Sequence, residues 1–277
     1  MKNKNILSSV LLIYAICFVL RLFEYFILRT DLSVIGEAIF HKLAGIAILI
    51  IFARLYKYKA SEIGFSLEKC ELKLLAGLLF GIFCFAIAYF IEILIAKSSG
   101  SYSGLKFYVT SYSVNGNLGN HTEVIFFLIC ILGNILNVVM EEGVFRGLFQ
   151  KLFERRYSFW LSAIFASVLF GLWHCVGPIR SYADGDSNKM QLMMNLLILI
   201  GSSTLIGLKY AMLAKITGSL FAGMADHFVN NTIINILHVI SISEIDQLQT
   251  VRISIAQTVS FVIVLIIYLR YHKKLER

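Results

Sequence analysis

The sequence predicts an all-α polytopic membrane protein, and three observations carry that prediction. Of its 277 residues, 58% are hydrophobic and only 15% are charged, whereas soluble domains average about 45–50% and about 25%. The apolar residues form about eight runs, most of them close to the roughly 20 residues that a helix needs to cross a bilayer. Polar residues lie mainly between these runs. Lipid, and not water, is therefore the solvent that suits this chain.

The apolar runs locate the predicted transmembrane helices in chain order. They cover residues 6–28, 35–55, 74–96, 124–149, 159–176, 192–210, 220–240 and 253–269. The first run has no small-residue cleavage site, so we expect a retained helix and not a signal peptide. No internal repeat or flexible linker divides the chain. We therefore expect a single membrane domain over residues 1–277.

The loops between the runs predict the orientation. Residues 97–121 are rich in Ser, Tyr, Asn and Gly and are expected to form an external loop, whereas residues 57–73 are lysine-rich and favour a short surface helix. An N-terminus inside the cell leaves about 16 of the 25 Lys and Arg residues on the cytoplasmic side, Lys2 and Lys4 among them, and about 6 outside. Cytoplasmic loops carry the excess of basic residues. Both termini are thus predicted to be cytoplasmic, in the plasma membrane of a prokaryote.

Charge and cysteine usage argue against two other classes of protein. The net charge of +8 comes from short loops and forms no basic stripe interleaved with aromatics, so nucleic acid is not an expected partner. The bilayer is the partner that this placement favours. The five cysteines are odd in number and contain no CxxC pair, which indicates small residues of the membrane core and not a disulfide or metal framework.

The fourth apolar run carries the densest set of buried polar residues. An ionised side chain at the bilayer centre costs roughly 2.5 kcal/mol or more, so such residues are functional candidates. At roughly 100° per residue, Asn134, Asn137 and Glu141 share one helical face. Glu142 points about 100° away and lies four residues before Arg146, the spacing of an ion pair within a helix. Glu141 is left without a local cation, although a purely structural packing network is an alternative.

Two further helices carry histidines. His174 lies about 17 residues after the loop centre at Tyr157, and Glu141 lies about 16 before it, so an antiparallel hairpin brings both to the same depth. His227 and Asn231 are four residues apart and share a face. Asp226 and Asn230 occupy an adjacent face and are interpreted as support for the histidine.

Other intramembrane polar residues are interpreted as structural. Glu37 and His41 lie near the outer end of the second run, where side chains can reach the interface. Arg21 and Glu24 in the first run are interpreted in the same way. Glu92 has no histidine companion, and His238 is expected to reach the opposite interface, about 16 Å along the helix from His227.

These motifs resemble those of the CAAX protease and bacteriocin-processing family (CPBP, or Abi) of intramembrane endopeptidases. That family carries EExxxR, FxxxH and HxxxN in successive core helices, and here they read Glu141-Glu142-Gly-Val-Phe-Arg146, Phe170-Gly-Leu-Trp-His174 and His227-Phe-Val-Asn-Asn231. The resemblance covers about residues 120–240, which are expected to form the catalytic core within the fourth to seventh helices. It implies a glutamic-type protease acting on a membrane-associated or lipidated peptide, of the CAAX type or of the bacteriocin or pheromone type.

Peptide hydrolysis needs a base, an oriented water and donors for an oxyanion. Glu141 is the expected base, His174 orients the water, His227 and Asn231 donate to the oxyanion, and Glu142 with Arg146 supports the site. The family's mechanism implies the same roles. No cofactor is expected, although zinc held by Glu141, His174 and His227 is an alternative.

Two non-protease functions stay open at this point. One is a bacteriocin-immunity protein that acts by binding, and the other is a proton-coupled transporter that uses the buried Glu and His residues. Transporters often contain repeated halves and helices broken by Pro or Gly. This chain has no visible repeat, and its one proline, Pro178, follows the fifth run.

Overall fold

Antiparallel helices and one small sheet form the chain in a computed structural model, which describes residues 6–33, 37–110 and 121–275. The helices are α1 (Ile6–Phe23), α2 (Phe40–Leu55), α3 (Cys70–Ser98), α4 (Val124–Glu141), α5 (Gln150–Glu154), α6 (Phe159–Trp173), α7 (Val176–Ala183), α8 (Lys189–Thr217), α9 (Phe221–Ile236) and α10 (Gln249–Leu275). The strands are β1 (Tyr102–Phe107) and β2 (Leu237–Ser241), which pair antiparallel. Each predicted apolar run contains a helix, so the all-α membrane class is confirmed.

Six helical stretches within the described residues are long and apolar enough to cross a membrane, which makes the chain an integral multi-pass membrane protein. They are Ile6–Leu32, Cys70–Ser98, Val124–Glu154, Phe159–Ala183, Lys189–Thr217 and Gln249–Lys274. Many large apolar side chains along them are exposed on the outside of the bundle. Such a surface is expected where lipid surrounds a protein.

The other two predicted spans, α2 and α9, are 16-residue helices. The predicted start of the second run, Ile35, lies outside the described residues. Asp31, before α2, pairs with Arg180 at the end of α7 over 2.8 Å. Tyr58, after α2, donates to the Lys151 carbonyl in α5 over 2.9 Å. Since α5 and the end of α7 lie at opposite ends of the bundle, α2 extends between those two ends.

Helix α9 also extends between the two ends of the bundle. Just before it, the Leu220 N–H donates to the Gly64 carbonyl over 2.9 Å, on the side where α3 begins. Beyond it, the Ile242 N–H donates to the Ser101 carbonyl over 2.9 Å, on the side where α3 ends. Gly77 of α3 permits this packing, because a Cβ there would lie 2.2 Å from the Ala222 carbonyl oxygen. The close contact with α3 fixes the helix that carries His227.

The prediction that the seventh helix extends to His238 is wrong. Helix α9 ends at Ile236, and the chain continues as β2, which pairs with β1. His238 is fully buried there, stacked on Tyr108 with its Nδ1 3.2 Å from an Asp246 carboxylate oxygen. Strand pairing at this end of the bundle therefore overrides the apolar helix pattern of residues 237–240.

The predicted loops are only partly described. Residues 111–120 of the external loop lie outside the described residues, as do Lys2 and Lys4. The described part contains β1, a strand that was not expected. In the lysine-rich segment, one turn of 3₁₀ helix forms at Ala60–Ile63. All five cysteines are free, as predicted.

Candidate active site

The two neighbouring glutamates lie at a change of helical geometry. Glu141 is the last residue of α4, and Glu142–Phe149 form a π-helical stretch before α5. All eight residues of that stretch are buried. Wide turns of this kind are rare and frequently occur at functional sites. Here the wide turn changes the direction of the side chains that follow Glu141.

Glu141 is held by two donors from the bundle interior and is only 3% exposed. Trp173 at the end of α6 donates its indole N–H to Oε1 over 3.0 Å. Asn137, one turn earlier in α4, donates to Oε2 over 3.2 Å. Asn134 on the same face instead donates to Thr232 of α9 over 3.1 Å. The polar face of α4 therefore meets α6 and α9, as an active site between core helices requires.

The His227 ring lies between both carboxylates. Its Nδ1 is 2.9 Å from Glu142 Oε1, and its Nε2 is 3.6 Å from Glu141 Oε2. Tyr210 of α8 stacks on the ring with centroids 5.0 Å apart and planes at 20°. The sequence placed Glu142 on a different face from Glu141, whereas both reach one imidazole. This convergence brings negative charge to both nitrogens of His227.

The predicted ion pair between Glu142 and Arg146 is present. Arg146 Nη1 lies 3.3 Å from Glu142 Oε1, and both side chains are 1% exposed. The guanidinium carbon is 3.8 Å from the centroid of the Phe170 ring, and Nε donates to the Gly207 carbonyl over 3.4 Å. Arg146 thereby offsets the charge of Glu142 and joins the π-helical stretch to α6 and α8.

His174 follows directly after α6 and has a defined tautomer. Its Nδ1 is 2.8 Å from the Phe170 carbonyl oxygen, which can only accept, so Nδ1 carries a proton. Nε2 makes no hydrogen bond within the described residues. In the neutral ring Nε2 is then an acceptor. The contact between Trp173 and Glu141 brings the end of α6, and with it His174, to the depth of Glu141.

The amide of Asn231 is oriented by a chain from α10. Gln257 Nε2 donates to Asn230 Oδ1 over 2.7 Å, and Asn230 Nδ2 donates to Asn231 Oδ1 over 2.9 Å. The Asn231 side-chain oxygen is thus occupied. Within the described part of the chain, no hydrogen bond uses its Nδ2, and this N–H₂ group is available as a donor.

Asp226 does not support His227, contrary to the expectation from the sequence. Its carboxylate pairs with Lys209 of α8 over 2.6 Å, and that ammonium group also donates to Gln257 over 2.9 Å and to Ser260 over 3.0 Å. Lys209 is fully buried. The adjacent face of α9 therefore binds α8 and α10 together beside the site.

The remaining intramembrane polar residues also have partners. Glu37 and His41 are each 3% exposed and so do not reach the interface as expected. Glu37 pairs with Lys42, and His41 pairs with Glu24 across the α1–α2 contact. Glu37 and His41, which are four residues apart, therefore bind different partners and not each other. Glu92 pairs with Arg252 of α10 over 2.6 Å.

The sequence did not identify Arg21, Trp173 or Tyr210 as neighbours of the site. Arg21 Nη1 lies 3.9 Å from Glu141 Oε1, and its guanidinium carbon is 4.4 Å from the Trp173 ring centroid. Arg21 was visible as an intramembrane charge, and Trp173 as the residue before His174. Nothing in the sequence indicated that α1 approaches α4 and α6 at this depth.

Within the described residues, no group of three or more His, Cys, Asp and Glu side chains is arranged as ligands of a metal ion. Glu141, His174 and His227, the set considered for zinc, are engaged instead with Trp173, with a backbone carbonyl and with Glu142.

Comparison with known proteins assigns the central part of the chain. Residues 123–233 match the family described as type II CAAX prenyl endopeptidase Rce1-like. The matched residues include Glu141, Glu142, Arg146, His174, His227 and Asn231. Arg21 and Gln257 lie outside them. No match is found among curated proteins.

Proposed function

We propose that this chain, whose residues 123–233 match the type II CAAX prenyl endopeptidase Rce1-like family, is a membrane protease that hydrolyses peptide bonds inside the bilayer. The proposed substrates are membrane-associated or lipidated peptides, of the CAAX type or of the bacteriocin or pheromone type. One observation carries this proposal: Glu141 is fixed by Trp173 and Asn137 beside His227, within a segment whose family is proteolytic.

Glu141 is the proposed general base. It removes a proton from a water molecule as the water oxygen bonds to the carbonyl carbon, and it later delivers that proton to the leaving amine as the C–N bond breaks. The donors from Trp173 and Asn137 hold the carboxylate in one orientation throughout. His174 offers Nε2 as an acceptor for the second water proton, which orients the water.

His227 and Asn231 are the proposed donors to the tetrahedral oxyanion. Asn231 Nδ2 has no competing hydrogen bond within the described residues, and Asn230 fixes the amide orientation. For His227 to donate to the oxyanion from Nε2 while Nδ1 keeps its contact with Glu142, both ring nitrogens must carry a proton. Nδ1 then stays on Glu142 while Nε2 turns to the oxyanion. Charge that develops in the transition state is stabilised by such preorganised donors.

The topology that we propose has eight crossings, with α2 and α9 added to the six long stretches. The ends of α2 and α9 at opposite ends of the bundle support it. An even number of crossings keeps both termini on one side, and the Lys and Arg bias favours the cytoplasmic side of a prokaryotic plasma membrane. Residues 120–240 would then form the catalytic core of a single membrane domain.

The test is cleavage of a farnesylated CAAX-type peptide by the purified full-length protein in detergent. We expect Glu141→Gln to abolish cleavage while the protein still purifies as a single folded species. Glu154→Gln is the matched control, since Glu154 pairs with Lys151 over 2.7 Å at the end of the same helical stretch. Mass spectrometry of membrane peptides from cells with wild-type protein or the Glu141→Gln variant then identifies natural substrates. Normal cleavage by the Glu141→Gln variant would contradict the proposal.

A further inference from the structure

The guanidinium of Arg21 reaches the active site from α1 with two of its nitrogens unused. Its side chain is 8% exposed. Nε and Nη1 are buried without a hydrogen-bond partner in the described part of the chain, and Nη2 makes one long hydrogen bond, 3.4 Å, to the Tyr25 hydroxyl. Buried polar groups are nearly always hydrogen-bonded. Arg146 also has two such nitrogens, but its Nη1 lies 3.3 Å from Glu142, whereas Arg21 Nη1 is 3.9 Å from Glu141.

The position of Arg21 points to a partner inside the active site. Its guanidinium packs against the Trp173 ring, and Nη1 faces the same Glu141 oxygen that accepts the Trp173 N–H. Any group that binds the free edge of Arg21 is thus a close neighbour of the proposed base.

Glu141 does not satisfy Arg21. The 3.9 Å between Arg21 Nη1 and Glu141 Oε1 allows attraction between the two charges but is too long for a hydrogen bond. Glu24, one turn further along α1, is occupied by Thr30, by the His41 ring and by the backbone N–H groups of residues 40 and 41. A buried cation requires an anion or several acceptors. The described residues supply neither in full.

We propose that Arg21 binds a carboxylate of the substrate and thereby selects peptides that carry this group close to the scissile bond. The proposal rests on the endopeptidase function proposed above. The planar guanidinium presents paired N–H groups that match a carboxylate. Arg21 Nη1 lies only 3.9 Å from Glu141 Oε1, and an extended peptide advances about 3.3 Å per residue. The carboxylate that binds Arg21 therefore lies within roughly three residues of the bond that is hydrolysed by the water activated by Glu141. Its source is either the C-terminus of the peptide or an Asp or Glu side chain.

Three farnesylated CAAX-type peptides, which differ only at the C-terminal residue or its end group, test this inference. The first ends in a free carboxylate, the second in an amide, and the third in an amide with Glu as its last residue. We expect the wild-type protein to cleave the acid with a kcat/KM about tenfold or more above that of the neutral amide, from the loss of a charge-assisted hydrogen bond. Recovery of cleavage in the third peptide assigns a side-chain carboxylate, and no recovery assigns the C-terminus.

Arg21→Gln is expected to remove the preference, so that the acid and the neutral amide have the same kcat/KM, whatever the common change that loss of a charge 3.9 Å from Glu141 causes in both. Arg21→Lys keeps the positive charge but lacks the paired N–H groups of the guanidinium, and it is expected to retain only part of the preference. Arg180→Gln is the matched control, because Arg180 already has Asp31 and Asp184 as partners. It should leave the preference unchanged.

Equal loss with all peptides in Arg21→Gln would overturn the inference, because Arg21 would then act only through Glu141. Lack of any acid preference in the wild-type protein would also overturn it. If Arg21→Gln does not purify as a folded species, an unchanged preference in Arg21→Lys overturns it.

Binding separates a failure of this inference from a failure of the proposed function. The dissociation constants of the acid and the amide are measured for the wild-type protein and for Arg21→Gln. Tighter binding of the acid that depends on Arg21 supports carboxylate recognition even if no peptide is cleaved. Equal binding of both peptides, or binding of neither, contradicts it.

Discussion

Trp173 donates its indole N–H to Glu141 Oε1 over 3.0 Å, and this contact joins the ends of two core helices at the active site. Hydrogen bonds to charged groups contribute about 1.5–3 kcal/mol. Trp173→Phe keeps an aromatic ring against Phe145 and Arg21 but removes the donor. We expect kcat to fall by about 10- to 100-fold, measured by peptide cleavage. Trp160→Phe, a partly exposed tryptophan at the start of α6, is the control. Unchanged kcat in Trp173→Phe would show that this bond does not orient Glu141.

Gln257 is predicted to be a positioning residue that acts through Asn230 on Asn231. Gln257→Glu keeps the acceptor for Lys209 but cannot donate to Asn230 Oδ1. We expect kcat to fall severalfold with KM little changed, because Asn231 loses its fixed orientation toward the oxyanion. Steady-state kinetics check this, and Gln247→Glu is the control, because Gln247 is exposed and its partner, the Ser243 hydroxyl, can donate to a carboxylate. A change confined to KM argues for a role in substrate binding instead.

The buried pair of Lys209 and Asp226 gives a prediction about stability. Asp226→Asn leaves a fully buried ammonium without its anion, and we expect a loss of about 3–5 kcal/mol in unfolding free energy. Lys209→Met combined with Asp226→Leu removes both charges and should restore most of that stability. Thermal and denaturant unfolding in detergent measure both variants. A double variant as unstable as Asp226→Asn would contradict this account.

Asp246, in the segment between β2 and α10, gives a pH dependence. Burial raises its pKa, but hydrogen bonds from His238 and Arg252 outweigh this and hold the pKa below the ordinary value of 3.8. The carboxylate therefore stabilises the fold above that value, and the contribution is lost as the pH falls through the lowered pKa. Asp246→Asn should lower the melting temperature at neutral pH, and the difference from wild type should shrink below pH 3.8. A difference that is constant with pH would exclude this cause.

Chelators are expected to leave cleavage unchanged, because the proposed mechanism uses Glu141 and two histidines without a metal ion. The purified protein is treated with 1,10-phenanthroline, dialysed and assayed with the farnesylated peptide. A non-chelating phenanthroline isomer controls for direct inhibition. Complete loss of activity that zinc alone restores would support the zinc alternative.

The sequence by itself determined the membrane class and the positions of the helices, and it predicted six residues of the proposed site. Composition and apolar runs are local properties, so the helices lie where they were predicted. The predicted pair of Glu142 and Arg146 also depends only on spacing within one helical stretch. Glu141 and His174 lie at nearly equal distances along the chain from the Tyr157 turn. Because two antiparallel helices have the same rise per residue, the sequence predicted that both residues lie at the same depth.

Only the tertiary structure decided which side chains the buried polar residues contact. The π-helical stretch brings Glu142 to His227, although regular helical geometry directs it to another face. Asp226 binds Lys209 because α8 packs beside α9, and His238 leaves the helix because β2 pairs with β1. Arg21 reaches Glu141 from α1, more than a hundred residues away in the chain. Contacts between distant segments follow from how the helices pack, which the period of a single helix does not specify.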